Sequence, residues 1–179
     1  MTKLFILCSS LYLSVVQAGP YVGGSISKLT QKQPANGKLH SDLALNGTGS
    51  TLYLGYRLSF IAVEGLYKTF SAKDSDGDKE FKIAGTATGL GGRLYFISLF
   101  NYKFGILNHA TKGSLKENET ELLAYESTAS SHFNGVGIRF NLSKLDIFID
   151  YTHYSQEDDE ESEVTLDFEE IELGARYYF

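Results

Sequence analysis

The chain has 179 residues, a formal charge of −6 at neutral pH, one cysteine and no tryptophan. That length is about one domain. The acidic balance speaks against a nucleic-acid partner, whose phosphates would repel it.

Met1 to Ala18 reads as a secretory signal. Lys3 supplies a positive start, Leu4 to Val16 an apolar stretch, and Val16-Gln17-Ala18 a small-residue cleavage site before Gly19. The stretch is too short to be a spanning helix; the alternative is an uncleaved interfacial helix. Cys8 lies inside it, so an exported chain keeps no cysteine and no disulfide can stabilise it. The expected units are a signal peptide, 1–18, and one barrel domain, 19–179.

Beyond residue 18 no helical pattern of useful length appears. Eight candidate strands do: Pro20–Leu29, Gly49–Arg57, Phe60–Phe70, Phe81–Phe96, Phe100–Ala110, Ser131–Leu142, Leu145–Ser155 and Thr165–Phe179. The last alternates cleanly, with Ile171, Leu173, Ala175, Tyr177 and Phe179 on one face and Glu172, Gly174, Arg176 and Tyr178 on the other. Connections alternate in length. Leu58-Ser59, Ile97–Leu99 and Ser143-Lys144 are short; Thr30–Thr48, Ser71–Glu80, Thr111–Ser130 and Gln156–Val164 are long and polar. The fold class expected is all-β: an eight-stranded antiparallel up-and-down transmembrane β-barrel, because a chain without a spanning helix crosses hydrocarbon only as a closed barrel. Both termini then share the periplasmic end with the short turns, and the long connections face outward.

Charges gather on one face of each strand. That face is the lumen if the other meets lipid. Arg57, Lys68, Arg93, Lys103, Arg139 and Arg176 oppose Glu64, Asp146, Asp150 and Glu172. Eight strands enclose a space just wide enough for side chains to fill, and an unpaired buried ion is costly. The expectation is a salt-bridged plug rather than an open pore. Gly89, Gly91, Gly92, Gly135 and Gly137 suit a crowded or sharply curved wall. Tyr21, Tyr56, Phe60, Phe96, Phe100, Tyr102, Tyr151, Tyr177 and Phe179 suit interfacial girdles.

The opening Gly19-Pro20-Tyr21-Val22-Gly23-Gly24-Ser25, the pieces Val63-Glu64-Gly65-Leu66-Tyr67 and Gly91-Gly92-Arg93-Leu94-Tyr95-Phe96, and the closing Gly174-Ala175-Arg176-Tyr177-Tyr178-Phe179 resemble small outer-membrane barrels of the opacity-protein and OmpA/OmpX-like group. The resemblance implies a structural, adhesive or antigenic surface protein of the bacterial outer membrane. It implies outer-membrane lipid and lipopolysaccharide as surroundings and an extracellular or host ligand at the loops. It also implies Tyr177 and Phe179 as the signal read by the β-barrel assembly machinery. The chain is expected to be a monomer, and no cofactor is called for.

Three motifs could carry chemistry. His153 and Ser155 share the lipid face, with Asp167 or Glu169 placed to lie opposite; a serine activated by such a pair performs acyl transfer. This resembles the His-x-Ser of outer-membrane lipid A deacylases, although Gln156 stands where that family has Asn. Asp74, Asp76 and Asp78 alternate as a Ca²⁺ loop would, but Lys79 and Gly85 occupy the positions needing Gly and Glu, so a solvated turn is the reading. Glu157 to Glu163 form a dense acidic run, read as a solvated loop. The competing function classes are the lipid A ester hydrolase and a soluble lipocalin-like carrier. A carrier, however, puts apolar residues inside.

Overall fold

The computed structural model describes residues 18–32, 44–76, 79–96, 99–117, 120–156 and 168–179. The strands are β1 (Gly19–Lys32), β2 (Ala44–Leu58), β3 (Ile61–Asp76), β4 (Lys79–Phe96), β5 (Phe100–Glu117), β6 (Thr120–Leu142), β7 (Leu145–Gln156) and β8 (Phe168–Tyr178). Each is antiparallel to its sequence neighbour, and β8 pairs with β1, so the sheet closes on itself. Residues 1–17 of the expected signal peptide, Asp78, the Glu157–Glu163 run and Asp167 lie outside the described residues.

The register fixes the barrel's geometry. Tyr21 pairs with Gly55, then in turn come Glu64, Gly91, Gly105, Phe133, Tyr154 and Phe168. Phe168 pairs back onto β1 at Gln31, ten residues beyond the start. With strands about 4.8 Å apart and a rise of about 3.3 Å per residue, that stagger over eight strands gives a tilt of about 40° and a backbone radius of about 8 Å. Such a cylinder has room for one layer of side chains from each wall.

Side-chain parity then sorts the sequence. Leu52, Leu54, Val63, Leu90, Ile106, Val136, Ile138, Ile149 and Leu173 point outward and are exposed, Leu54 at 70 %. Their inward neighbours Tyr53, Glu64, Arg93, Lys103, Arg139, Asp150 and Glu172 are buried. An apolar outer band around an ionic interior is the reverse of a water-soluble carrier, and it matches a wall that meets lipid.

The sheet reaches further than the sequence pattern implied. Strands β5 and β6 take in most of the expected connection Thr111–Ser130, and β3 and β4 most of Ser71–Glu80. The reason is chemical. Above the apolar band the outward face of the sheet turns polar, as at Asn108, Lys112, Glu126, Thr128 and Ser130. Apolar alternation therefore stops while the backbone ladder continues. One aromatic also moves: Tyr21, expected in a girdle, is 0 % exposed and sits in the interior. Its parity is that of Gly23, Ser25 and Ser27, not that of the outward Val22 and Ile26.

Two short turns, Ser59-Phe60 and Ser143-Lys144, follow one design. Ser59 and Ser143 adopt left-handed φ values of 49° and 59°, uncommon for a residue with a Cβ. Each serine carbonyl accepts from the side chain two residues earlier: Arg57 Nε at 3.0 Å and Asn141 Nδ2 at 3.5 Å.

Candidate functional site: the filled lumen and the outer wall

From the short-turn end inward, the interior is layered. At the mouth, Asp146 accepts from Arg139 Nη1 (2.9 Å), Tyr178 Oη (3.0 Å) and Asn141 Nδ2 (2.7 Å). Arg57 Nη1 lies 3.8 Å from the same carboxylate. Its guanidinium and that of Arg139 stand 4.0 and 4.4 Å from the centre of the Tyr95 ring.

The middle layer holds three cations and three carboxylates. Arg93 reaches Asp150 at 2.7 Å and Glu64 at 3.2 Å, and also bonds Asn101. Lys103 reaches Glu172 at 2.5 Å and lies 3.9 Å from Asp150. Glu172 also accepts from Ser25 Oγ at 2.6 Å and from the Tyr53 hydroxyl, and Glu64 from the Tyr21 hydroxyl at 2.7 Å. Arg176 is held differently. Its guanidinium is 3.7 Å from the Phe148 ring centre and 5.2 Å from that of Tyr53. Its carboxylate neighbours, Glu64 and Asp150, are at 3.9 and 3.8 Å. Stacking and the local field, rather than direct hydrogen bonds, position this cation.

Above this, Lys68 reaches Glu170 at 2.5 Å, and Tyr154 donates to the same carboxylate. Then the chemistry changes. Ala87, Leu107, Phe133 and Tyr154 form a buried cluster against Leu66 and Phe168. Ala72 and Ile83 form a further one with Phe70 and Phe81. The lumen is thus an ionic plug under an apolar stopper. Gly137 shows how tightly it is filled: a Cβ there would collide with the Asp150 carboxylate and come within 2.7 Å of Asn101 Nδ2.

All ten charged residues singled out in the sequence lie in this interior. Sequence reasoning passed over Glu170, which shares the inward parity of Glu172 and Arg176 and is 1 % exposed. It also passed over the tyrosines that donate hydrogen bonds to the carboxylates, Tyr21, Tyr53, Tyr154 and Tyr178. A period-two count continued two residues back from Glu172 finds Glu170. Nothing in the sequence tells a hydrogen-bonding Tyr from a girdle Tyr except that same parity.

On the outer wall the register sets His153 opposite Glu169 and Ser155 opposite His132. Glu169, the candidate orienting carboxylate, hydrogen-bonds the Tyr151 side chain. Among the described residues no hydrogen bond joins His153 to Ser155, so the three do not form a relay. Asp74 and Asp76 are ladder residues of β3, opposite Phe81 and Lys79. Among the described residues no group of three His, Cys, Asp or Glu could hold a metal ion. Tyr177 and Phe179 point outward and pack edge to face, ring centres 5.6 Å apart.

No family model and no curated relative matches the chain. Solved structures do. Neisserial surface protein A superposes with a TM-score of 0.58 at 14% identity, covering 90% of this chain and 98% of that one. Ail, the attachment invasion locus protein of Yersinia pestis, gives 0.60 at 10% identity, covering 91% and 99%. Ail in complex with the heparin analogue sucrose octasulfate gives 0.58 at the same identity and coverage. At such identities the likeness is one of architecture. Closed eight-strand pairing, apolar exterior and matched topology together give this chain the fold of the small eight-stranded outer-membrane β-barrels.

Proposed function

We propose that the chain is a non-enzymatic surface protein of the bacterial outer membrane, with both termini and the short turns at the periplasmic side and the tall ends of β3 to β6 outside. The observation that carries this reading is the filled lumen within an apolar band. A plug of ion pairs topped by packed rings speaks against a solute path, and among the described residues the outer wall carries no assembled relay. What remains for contact with the surroundings is the polar sheet above the band.

Its outward face supports an anionic neighbour. Lys73 and Lys82 stand directly opposite each other across β3 and β4, both exposed, while Lys112 on the adjoining strand already pairs with Glu126 at 2.6 Å. Like charges so placed repel, and lipopolysaccharide phosphates in the surrounding leaflet would relieve that repulsion. A structural and adhesive role at this polar rim follows, with an extracellular ligand held above the membrane. Sulfated glycan is the first ligand to test there, since one structural neighbour is seen with a heparin analogue.

The test has two parts. Protease added to intact cells should cut the long connections and spare the short turns, and planar-bilayer recordings of the full chain should show no steady conductance. Adhesion of expressing cells to glycan-coated surfaces should fall when the rim of β5 and β6 is shortened. Cleavage confined to the periplasmic face, a stable open conductance, or adhesion indifferent to the rim would overturn the reading.

A further inference from the structure

The charge balance of the interior is uneven, and the unevenness has an address. The middle layer pairs Arg93, Lys103 and Arg176 with Glu64, Asp150 and Glu172; the layer above pairs Lys68 with Glu170. Among the described residues, the short-turn mouth sets two cations, Arg57 and Arg139, against the one side-chain carboxylate of Asp146. All three are buried: 3 %, 4 % and 0 % exposed. Asp146 is already committed to Arg139, Asn141 and Tyr178, so it satisfies one guanidinium and leaves the other short.

The same place gathers donors that find no acceptor among the described residues. Arg57 Nη1, Arg139 Nε and Tyr95 Oη are buried and make no hydrogen bond. Both guanidinium groups lie against the one Tyr95 ring. Two forked cations and a hydroxyl around one ring are the donor set that oxyanions prefer. Arg57 is held in that position by its bond to the Ser59 carbonyl.

We propose that the short-turn mouth of the barrel binds a small inorganic oxyanion between Arg57, Arg139 and the Tyr95 hydroxyl. The anion supplies the counter-charge that the fold lacks there and ties β2, β4 and β6 together at their ends.

The probe is inorganic phosphate, added to the full chain refolded in detergent micelles at constant ionic strength held with a bulky sulfonate salt. Unfolding is followed by far-ultraviolet circular dichroism. The midpoint should rise with phosphate and saturate. Tyr95→Phe removes a hydroxyl that makes no hydrogen bond among the described residues, so it should fold as the parent does. It should need about tenfold more phosphate for half the effect. Arg57→Gln should abolish the rise. A midpoint in the parent that ignores phosphate overturns the proposal, as it would if the chain's own terminal carboxylate filled the mouth. An equal rise in Tyr95→Phe overturns it too, by placing the anion elsewhere. Should Arg57→Gln fail to fold, the Tyr95→Phe comparison decides alone.

Discussion

Replacing Glu172 by Gln probes the plug most directly. Glu172 is 1 % exposed and accepts from Lys103, Ser25 and Tyr53. Without its charge, Lys103 Nζ keeps Asp150, at 3.9 Å, as its one ionic partner among the described residues. Breaking a buried pair by removing one member costs about 3–5 kcal/mol, because the other charge is stranded. The amide can still accept from Ser25 and Tyr53, which sets the expected loss near the lower end, about 3 kcal/mol. Lys103→Met alone strands Glu172 with two neutral donors and should cost a similar amount. The double variant strands neither charge, so its loss should fall short of the sum by about 2 kcal/mol or more. The assay is urea unfolding of barrels refolded into lipid vesicles. It is followed by circular dichroism or by gel mobility without boiling, since the chain offers no tryptophan to report. Losses that add to within about 0.5 kcal/mol would show that the two groups do not sense each other, and the picture of a paired plug would fail.

Three further outcomes can be checked. Leu54→Arg, on the lipid-facing wall, should destabilise the barrel in vesicles by about 2–4 kcal/mol, while Thr128→Arg on the same parity above the band should be near neutral; equal costs would contradict the placement of the band. Gly137→Ala should lower the unfolding midpoint or prevent refolding, because its methyl meets the Asp150 carboxylate, and an unperturbed variant would show that the interior yields. Ser155→Ala should leave lipid A acylation unchanged in expressing cells by mass spectrometry, whereas a loss of acyl removal would revive the hydrolase reading.

How much of this could be read from residues alone depends on depth in the wall. Within the apolar band, parity did the work. Once Leu54 and Ile138 are assigned to lipid, Glu64 and Arg139 can go only inward, and the ionic interior follows. Beyond the band the same rule loses its contrast. Thr111, Ser127, Thr128 and Ser130 carry no apolar alternation, so they read as loop although the ladder runs through them. Pairing partners were less legible still. That Arg93 meets Asp150, or that Lys103 chooses Glu172, depends on the ten-residue stagger, which only the closed register supplies. The apolar stopper was missed for a related reason. Leu107 and Phe133 resemble lipid-facing residues in type and differ from them only in parity.

Closure of the ladder has a mechanical consequence. Because β1 and β8 pair over eleven positions, from Tyr21 with Tyr178 to Gln31 with Phe168, no stave can be drawn out without tearing two seams at once. Under tension the molecule should resist stepwise peeling and release in a single rupture.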